Sequence, residues 1–164
     1  MSRKSETKDS IKVSGFYRLQ ITEDKNGVPA VVGDSGWRKN TVVNDGFDKY
    51  LSRAIGALAG SLQVSHVALG TGGAPAVTDT GLAGEIMSST QRGTVGAATV
   101  ASKTCQFTAA FASSDSFLTA ASNLSNIGLF NSSTAGTILA GNTYTSSSCA
   151  TNQNVNITYQ IRFS

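Results

Sequence analysis

One histidine, two cysteines, two prolines and one tryptophan in 164 residues leave little for chemistry to work with. General acid–base and nucleophilic catalysis call for histidine, or for carboxylates paired in low-dielectric surroundings. His66 stands in Ser65-His66-Val67 at the start of a short apolar run, where a neutral, hydrogen-bonded structural histidine is expected. Ser65 is expected to point to the opposite face of that strand, out of reach of the ring. Cys105 and Cys149, with so few histidines to join them, cannot complete a four-ligand metal site. A reducing compartment favours two independent thiols over a disulfide. No Asp-x-Asp calcium pattern occurs. Asp34 falls in a loop, and Asp45 and Asp48 fall in the first turn of an expected helix, where they suit its dipole. We therefore expect no catalytic residue, no metal and no cofactor: a non-enzymatic chain.

Charge is also scarce, at 14% of residues against a usual quarter. No stretch of 18 apolar residues exists to cross a membrane as a helix. The first ten residues, Met-Ser-Arg-Lys-Ser-Glu-Thr-Lys-Asp-Ser, are basic without an apolar stretch behind them. A secretory signal is thus not expected, and the chain should be made and kept in the cytosol or leave by lysis. The net charge of +3 is too small to argue for nucleic acid. Arg3, Lys4, Lys8 and Lys12 are offset by Glu6 and Asp9, with only Phe16 and Tyr17 near them. Neither a nucleic-acid nor a membrane partner is expected; a basic arm touching an acidic protein surface is more economical.

The charge is unevenly placed. Residues 1–53 hold ten of the thirteen Lys and Arg and seven of the ten acids. Beyond them only Asp79, Glu85, Arg92, Lys103, Asp115 and Arg162 are charged. A free domain normally spreads mixed charge over its surface. A long Ala-, Ser-, Thr-, Gly- and Asn-rich segment with six charges suggests a surface covered by neighbours. A secreted Ser/Thr-rich sandwich is the alternative.

What is present reads as strands. Residues 1–10 lack periodicity and are expected to form a disordered arm. Ile11 to Thr22 is rich in β-formers, Asp24-Lys-Asn-Gly27 is a hairpin turn, and Val28 to Val32 returns with Pro29 marking an edge. Trp37 to Val43 suggests another strand. One amphipathic helix is expected at about 45–58, capped by Asn44 or Asp45 and stopped by Gly60. Its stripe of Phe47, Tyr50, Leu51, Ala54, Ile55 and Leu58 would pack on the sheet. Short strands follow at 64–69, 90–95, 100–111, 126–130 and 137–144, with one helical turn at 80–87 carrying Leu82 and Ile86. In the strand at 100–111, Cys105 points into the core as a small hydrophobe. The last strand has the cleanest period, with Val155, Ile157, Tyr159, Ile161 and Phe163 on one face. Each should contribute roughly 1.5–3 kcal/mol on burial. The expected fold is mainly β: an antiparallel β-sandwich (jelly-roll or Ig-like) over 11–164, with one helix and an extended N-terminal arm.

Gly70-Thr-Gly-Gly73 after a strand lacks the Lys-Ser/Thr pair and the GxGxxG spacing of phosphate loops, and Pro75 interrupts any following helix. It is read as a connection. Trp37-Arg38-Lys39 combines residue types favoured as interface anchors, although Trp37 suits closing the core beneath the helix equally well.

Three stretches, in order, carry a resemblance. They are Asn40-Thr-Val-Val-Asn-Asp-Gly-Phe47 before the helix; Val67-Ala-Leu-Gly-Thr-Gly72 with Pro75, Asp79-Thr80, Leu82 and Glu85; and Ser125-Asn-Ile-Gly-Leu-Phe-Asn131 before two final strands. Over residues 36–164 the chain resembles small virion structural proteins of tailed bacteriophages, associated with capsid decoration and with tails. The resemblance implies a structural role. The Gly-Thr-Gly loop and the Thr80–Glu85 segment would join two parts of a sandwich, and Gly128 would allow close packing near Phe130. Asn126 stands where such proteins often carry an acid. The expectation is a capsid decoration (cement) protein, with a tail, collar or fibre-associated subunit as the alternative and a host-surface or glycan-binding module as a further one. The expected partners are the major capsid protein or other virion subunits, in a homo-oligomer for which a trimer suits the bridging of capsomers. Candidate interface residues are Arg3, Lys4, Lys8, Trp37 and Arg38.

Overall fold

The strand with the strictest alternation takes the most enclosed place. A computed structural model describes residues 11–86 and 92–164. In it β11 (Asn154–Phe163) is hydrogen-bonded on both sides, to β1 (Val13–Lys25) and to β8 (Thr104–Phe111), antiparallel to each. Val155, Ile157, Tyr159 and Ile161 are buried, while Asn156, Thr158, Gln160 and Arg162 face outward.

The remaining strands are β2 (Val28–Asp34), β3 (Arg38–Val42), β4 (His66–Gly70), β5 (Glu85–Ile86), β6 (Gly93–Thr94), β7 (Thr99–Ala101), β9 (Ser122–Phe130) and β10 (Ile138–Cys149). All pairings are antiparallel, in the order β5-β4-β9-β10-β3-β1-β11-β8-β7, with β2 also on β1 and β6 also on β4. The mainly β antiparallel expectation holds. Strand β3 is the hinge of the arrangement: it pairs with β1 on one edge and β10 on the other. About it the sheet folds until both halves share a core. Tyr17, Leu19 and Ile21 of β1 cluster with Val67 and Leu69 of β4, Ile127 and Leu129 of β9, and Tyr144 of β10. The Tyr17 hydroxyl donates to the Thr143 carbonyl at 2.6 Å, a bond across the core. Two layers on one core are compatible with a sandwich.

The far side is laced as well. Gly93 and Thr94 pair with β4, and the next residue, Val95, bridges Ala109 of β8. Gly93 makes this crossing possible, because a Cβ there would lie 2.8 Å from the Phe111 ring.

Val67 to Leu69 of β4 and Ile127 to Phe130 of β9 carry no polar side chain because both faces of the sheet are covered there. Val67 and Leu69 face the main core, whereas Ala68 joins Val43, Leu82, Phe130 and Ile138 in a smaller cluster. The 71–84 connection lies on that outer face. Ala68, Gly128 and Gly141 stand opposite one another across three strands. A Cβ on Gly141 would reach Pro75 at 3.0 Å, and one on Gly128 would reach Phe130 at 3.0 Å, the close packing that the resemblance implied. The connection links neighbours β4 and β5 within one half, not two parts of a sandwich.

Several boundaries differ from expectation. The helix is shorter and differently wound: a π-helical turn at Gly46–Ser52 runs into an α-helical turn at Arg53–Ile55. Asp45 makes no side-chain cap bond; its carboxylate takes the Lys49 ammonium at 2.7 Å. Of the expected stripe Tyr50 is buried, Leu51 is half-buried, and Phe47, Ala54, Ile55 and Leu58 are exposed. Gly46 sets this geometry, since a Cβ would strike the Leu139 carbonyl oxygen. The expected helical turn at 80–87 is, over residues 80–86, a turn leading into β5, and Met87 lies outside the described residues. The expected strand at 90–95 is represented by β6; Thr90 and Gln91 lie outside the described residues. The 100–111 strand is two, β7 and β8, divided at Ser102 with its positive φ of 51°. Strands β9 and β10 run longer than read.

Candidate interaction surface

The β1–β2 hairpin begins with chemistry legible in the chain. Asn26 and Gly27 take φ of 58° and 82°, and the Gly27 N–H donates to Asp24 Oδ1 at 2.6 Å. Strand β2 pairs with β1 alone, so Pro29 costs no bond on a second side. With both faces beyond the sheet body, Val28, Val31 and Val32 are exposed.

At the base of this hairpin stands Trp37, 46% exposed. It does not close the core beneath the helix; of its two possible roles that one is excluded. The turn carrying it is well fixed. The Leu19 N–H donates to Ser35 Oγ at 2.9 Å, and the Ser35 N–H donates to the Leu19 carbonyl at 2.9 Å. Gly36, at φ 62°, donates to Asp34 Oδ1 at 2.8 Å, and Arg38 Nε donates to the Ser35 carbonyl at 2.9 Å. Asp34 is itself gripped by Arg18 Nε at 3.0 Å. That hydrogen bond holds the Asp34 carboxyl well below the usual carboxylate range. Trp37 is thus an exposed aromatic side chain on a hydrogen-bonded turn, at the base of a hairpin whose outer strand exposes three valines. Of the candidate interface residues, Trp37 and Arg38 lie together here, and both are exposed. Arg3, Lys4 and Lys8 lie outside the described residues, as does the whole expected arm.

A second apolar surface escaped sequence reasoning. Ile55 is 86% exposed and Leu58 58%. Beside the helical segment runs a groove of about 380 Å³ lined by Leu51, Ala54, Leu62, Val64, Phe107 and Phe163 among others. A helical stripe predicts an apolar face but not what that face meets.

The histidine departs from expectation in one respect. Ser65 Oγ lies 2.7 Å from His66 Nδ1. Ser65 precedes β4, so strand alternation does not separate the pair. Desolvation first, then the Arg92 charge, lowers the His66 pKa and favours its neutral form, as expected. Arg92 bonds to Glu85 and lies 3.5 Å from the Phe130 ring centroid.

The Gly70–Gly73 loop answers to a clamp. Asn126, fully buried, donates from Nδ2 to the Gly73 carbonyl at 3.0 Å and the Ala83 carbonyl at 2.8 Å. Ser125 Oγ donates to the Gly72 carbonyl at 3.0 Å. A Cβ at Gly70 would fall on Asn126 Oδ1, and one at Gly72 on the Ala83 backbone. The glycines serve close approach of two chain segments. Asn126 fits where an acid would not, because a carboxylate cannot donate to two carbonyls.

Cys105 and Cys149 are both free thiols. Burial pushes Cys149 up to about 11 and raises Cys105. Among the described residues no group of three or more His, Cys, Asp or Glu could hold a metal ion, and no helix is long and apolar enough to cross a membrane. Compared with known proteins, the chain matches no family model, no curated protein and no solved structure.

Proposed function

We propose that this chain is a non-enzymatic structural protein of a tailed-phage virion, and that it decorates the capsid as a cement protein. The observation carrying the reading is the exposed Trp37, on a hydrogen-bonded turn at the base of an edge hairpin whose outer strand also exposes Val28, Val31 and Val32. An exposed aromatic on a backbone that is already fixed suits an interface anchor, because little backbone freedom is lost on docking. The scarcity of charge over residues 54–164 supports the same reading: such a surface suits contact with other subunits better than open solvent. The chain's partners would be the major capsid protein or other virion subunits, engaged as a homo-oligomer.

The test is addition of the purified chain to assembled capsids lacking it. Binding with increased resistance to heat or low salt is expected, weakened by Trp37→Ser and by deletion of residues 1–10. Capsids whose stability does not change would remove the cement role. Cryo-EM density at the tail rather than the shell would move the chain to the tail-associated alternative.

A further inference from the structure

The outward face of the β8–β11–β1 layer carries a cation that no acid pairs with among the described residues. Arg162 donates from Nε to Gln160 Oε1 at 3.0 Å and again from Nη2. Gln160 in turn donates from Nε2 to Gln106 Oε1 at 2.7 Å. The guanidinium carbon lies 4.5 Å from the Phe16 ring centroid. An amide on one side and an aromatic face on the other therefore fix the group. Of the five N–H donors of a guanidinium, these bonds use two. The ion pairs among the described residues are Arg18–Asp34, Lys49–Asp45 and Arg92–Glu85, so none neutralises Arg162.

Arg162 borders a groove of about 420 Å³ that also meets Thr99, Ser102, Thr104, Gln106 and Gln160. Thr104 stands directly across from Arg162, and Gln106 from Gln160. The lining holds hydroxyls and amides, which both donate and accept, and no carboxylate. A guanidinium with free N–H groups matches a planar two-oxygen anion. The surrounding hydroxyls match a ligand dense in hydroxyls of its own. A neutral sugar would leave the cation unanswered, and a peptide carboxylate would leave the hydroxyls unanswered.

We propose that this groove binds an acidic saccharide, its carboxylate on Arg162 and its hydroxyls on Thr99, Ser102, Thr104 and Gln106. The groove shares no lining residue with the Trp37 surface, and the proposal does not depend on the virion reading.

Calorimetric titration of the full chain tests it, with tetragalacturonate, the neutral galactose tetramer and tetraglutamate as probes at low salt. Tetragalacturonate should bind best. Arg162→Gln should weaken it about tenfold or more, and Thr104→Val about threefold, with melting curves unchanged. In the unaltered chain, the Arg162 Nε–H resonance should shift as tetragalacturonate is added. No binding heat at millimolar probe, an unmoved Arg162 resonance or equal affinity in Arg162→Gln would each overturn the proposal. So would tetraglutamate binding as tightly as the saccharide, which would leave a bare anion site.

Discussion

Arg92 and Glu85 meet through two hydrogen bonds, Nε to Oε1 at 2.6 Å and Nη2 to Oε2 at 3.0 Å. Arg92 is only 6% exposed, and its Nη1 donates to the Ser132 carbonyl at 3.1 Å and to that of Ala135. The pair thus ties β5, the residue leading into β6 and the 132–135 turn at one point. Removing one partner leaves the other charge poorly solvated. Arg92→Ala should therefore lose about 3 kcal/mol, read as a lower denaturant midpoint. A midpoint that stays put would show the pair to be dispensable.

Asn126 makes a sharper test, because Asp is almost the same shape. Asn126→Asp would set a carboxylate against the Gly73 and Ala83 carbonyls in full burial. A loss of about 3 kcal/mol is expected at neutral pH, part of it recovered as acid protonates the new side chain. Proteolysis within 71–84 should accelerate in parallel. Equal stability of the two proteins at pH 7 would mean the clamp contributes little.

Gly46 lets the π-helical turn reach β10. Gly46→Ala would drive a methyl into the Leu139 carbonyl, backbone against backbone, where no side chain can give way. The expected cost is about 2–3 kcal/mol, measured by thermal unfolding. Gly73→Ala, with open space around its Cβ, is the control and should change stability little.

All four tyrosines, Tyr17, Tyr50, Tyr144 and Tyr159, are buried, and burial raises each of their pKa values, that of Tyr17 to about 12. In the unfolded chain a tyrosine titrates near 10. Below that pH both states are protonated and the contribution to stability is complete. Above it the unfolded state releases protons that the folded state retains, so stability falls as pH rises from about 10 through 12. Tyrosinate absorbance should consequently appear together with loss of the fold. Gradual ionisation at pH 10 with the fold intact would contradict the burial of these rings.

Much of this arrangement was legible in the chain. The alternation of Val155 to Phe163 identified the best-defined strand, Asp24-Lys-Asn-Gly27 the turn of the β1–β2 hairpin, and Pro29 an edge. Cys105 was placed inward from alternation alone. These are local properties: two-residue periodicity, positive φ and a missing N–H act within a few residues of themselves. The helical stripe illustrates where that reach ends. Phe47, Ile55 and Leu58 have the spacing of a buried face, yet no element of the described fold covers them.

The division follows from the range of the forces. By itself the sequence determined a mainly β, charge-poor body with a turn-rich hairpin edge, since composition and short-range sterics suffice for that. Only the tertiary structure decided that β3 joins two halves over one core and that Val95 bridges to Ala109. It alone placed Asn126 against Gly73 and Ala83, turned Trp37 outward, and set Arg162 beside Gln160 and over Phe16. Each of these joins residues from separate strands or loops, and such meetings depend on which surfaces the folded sheet brings together.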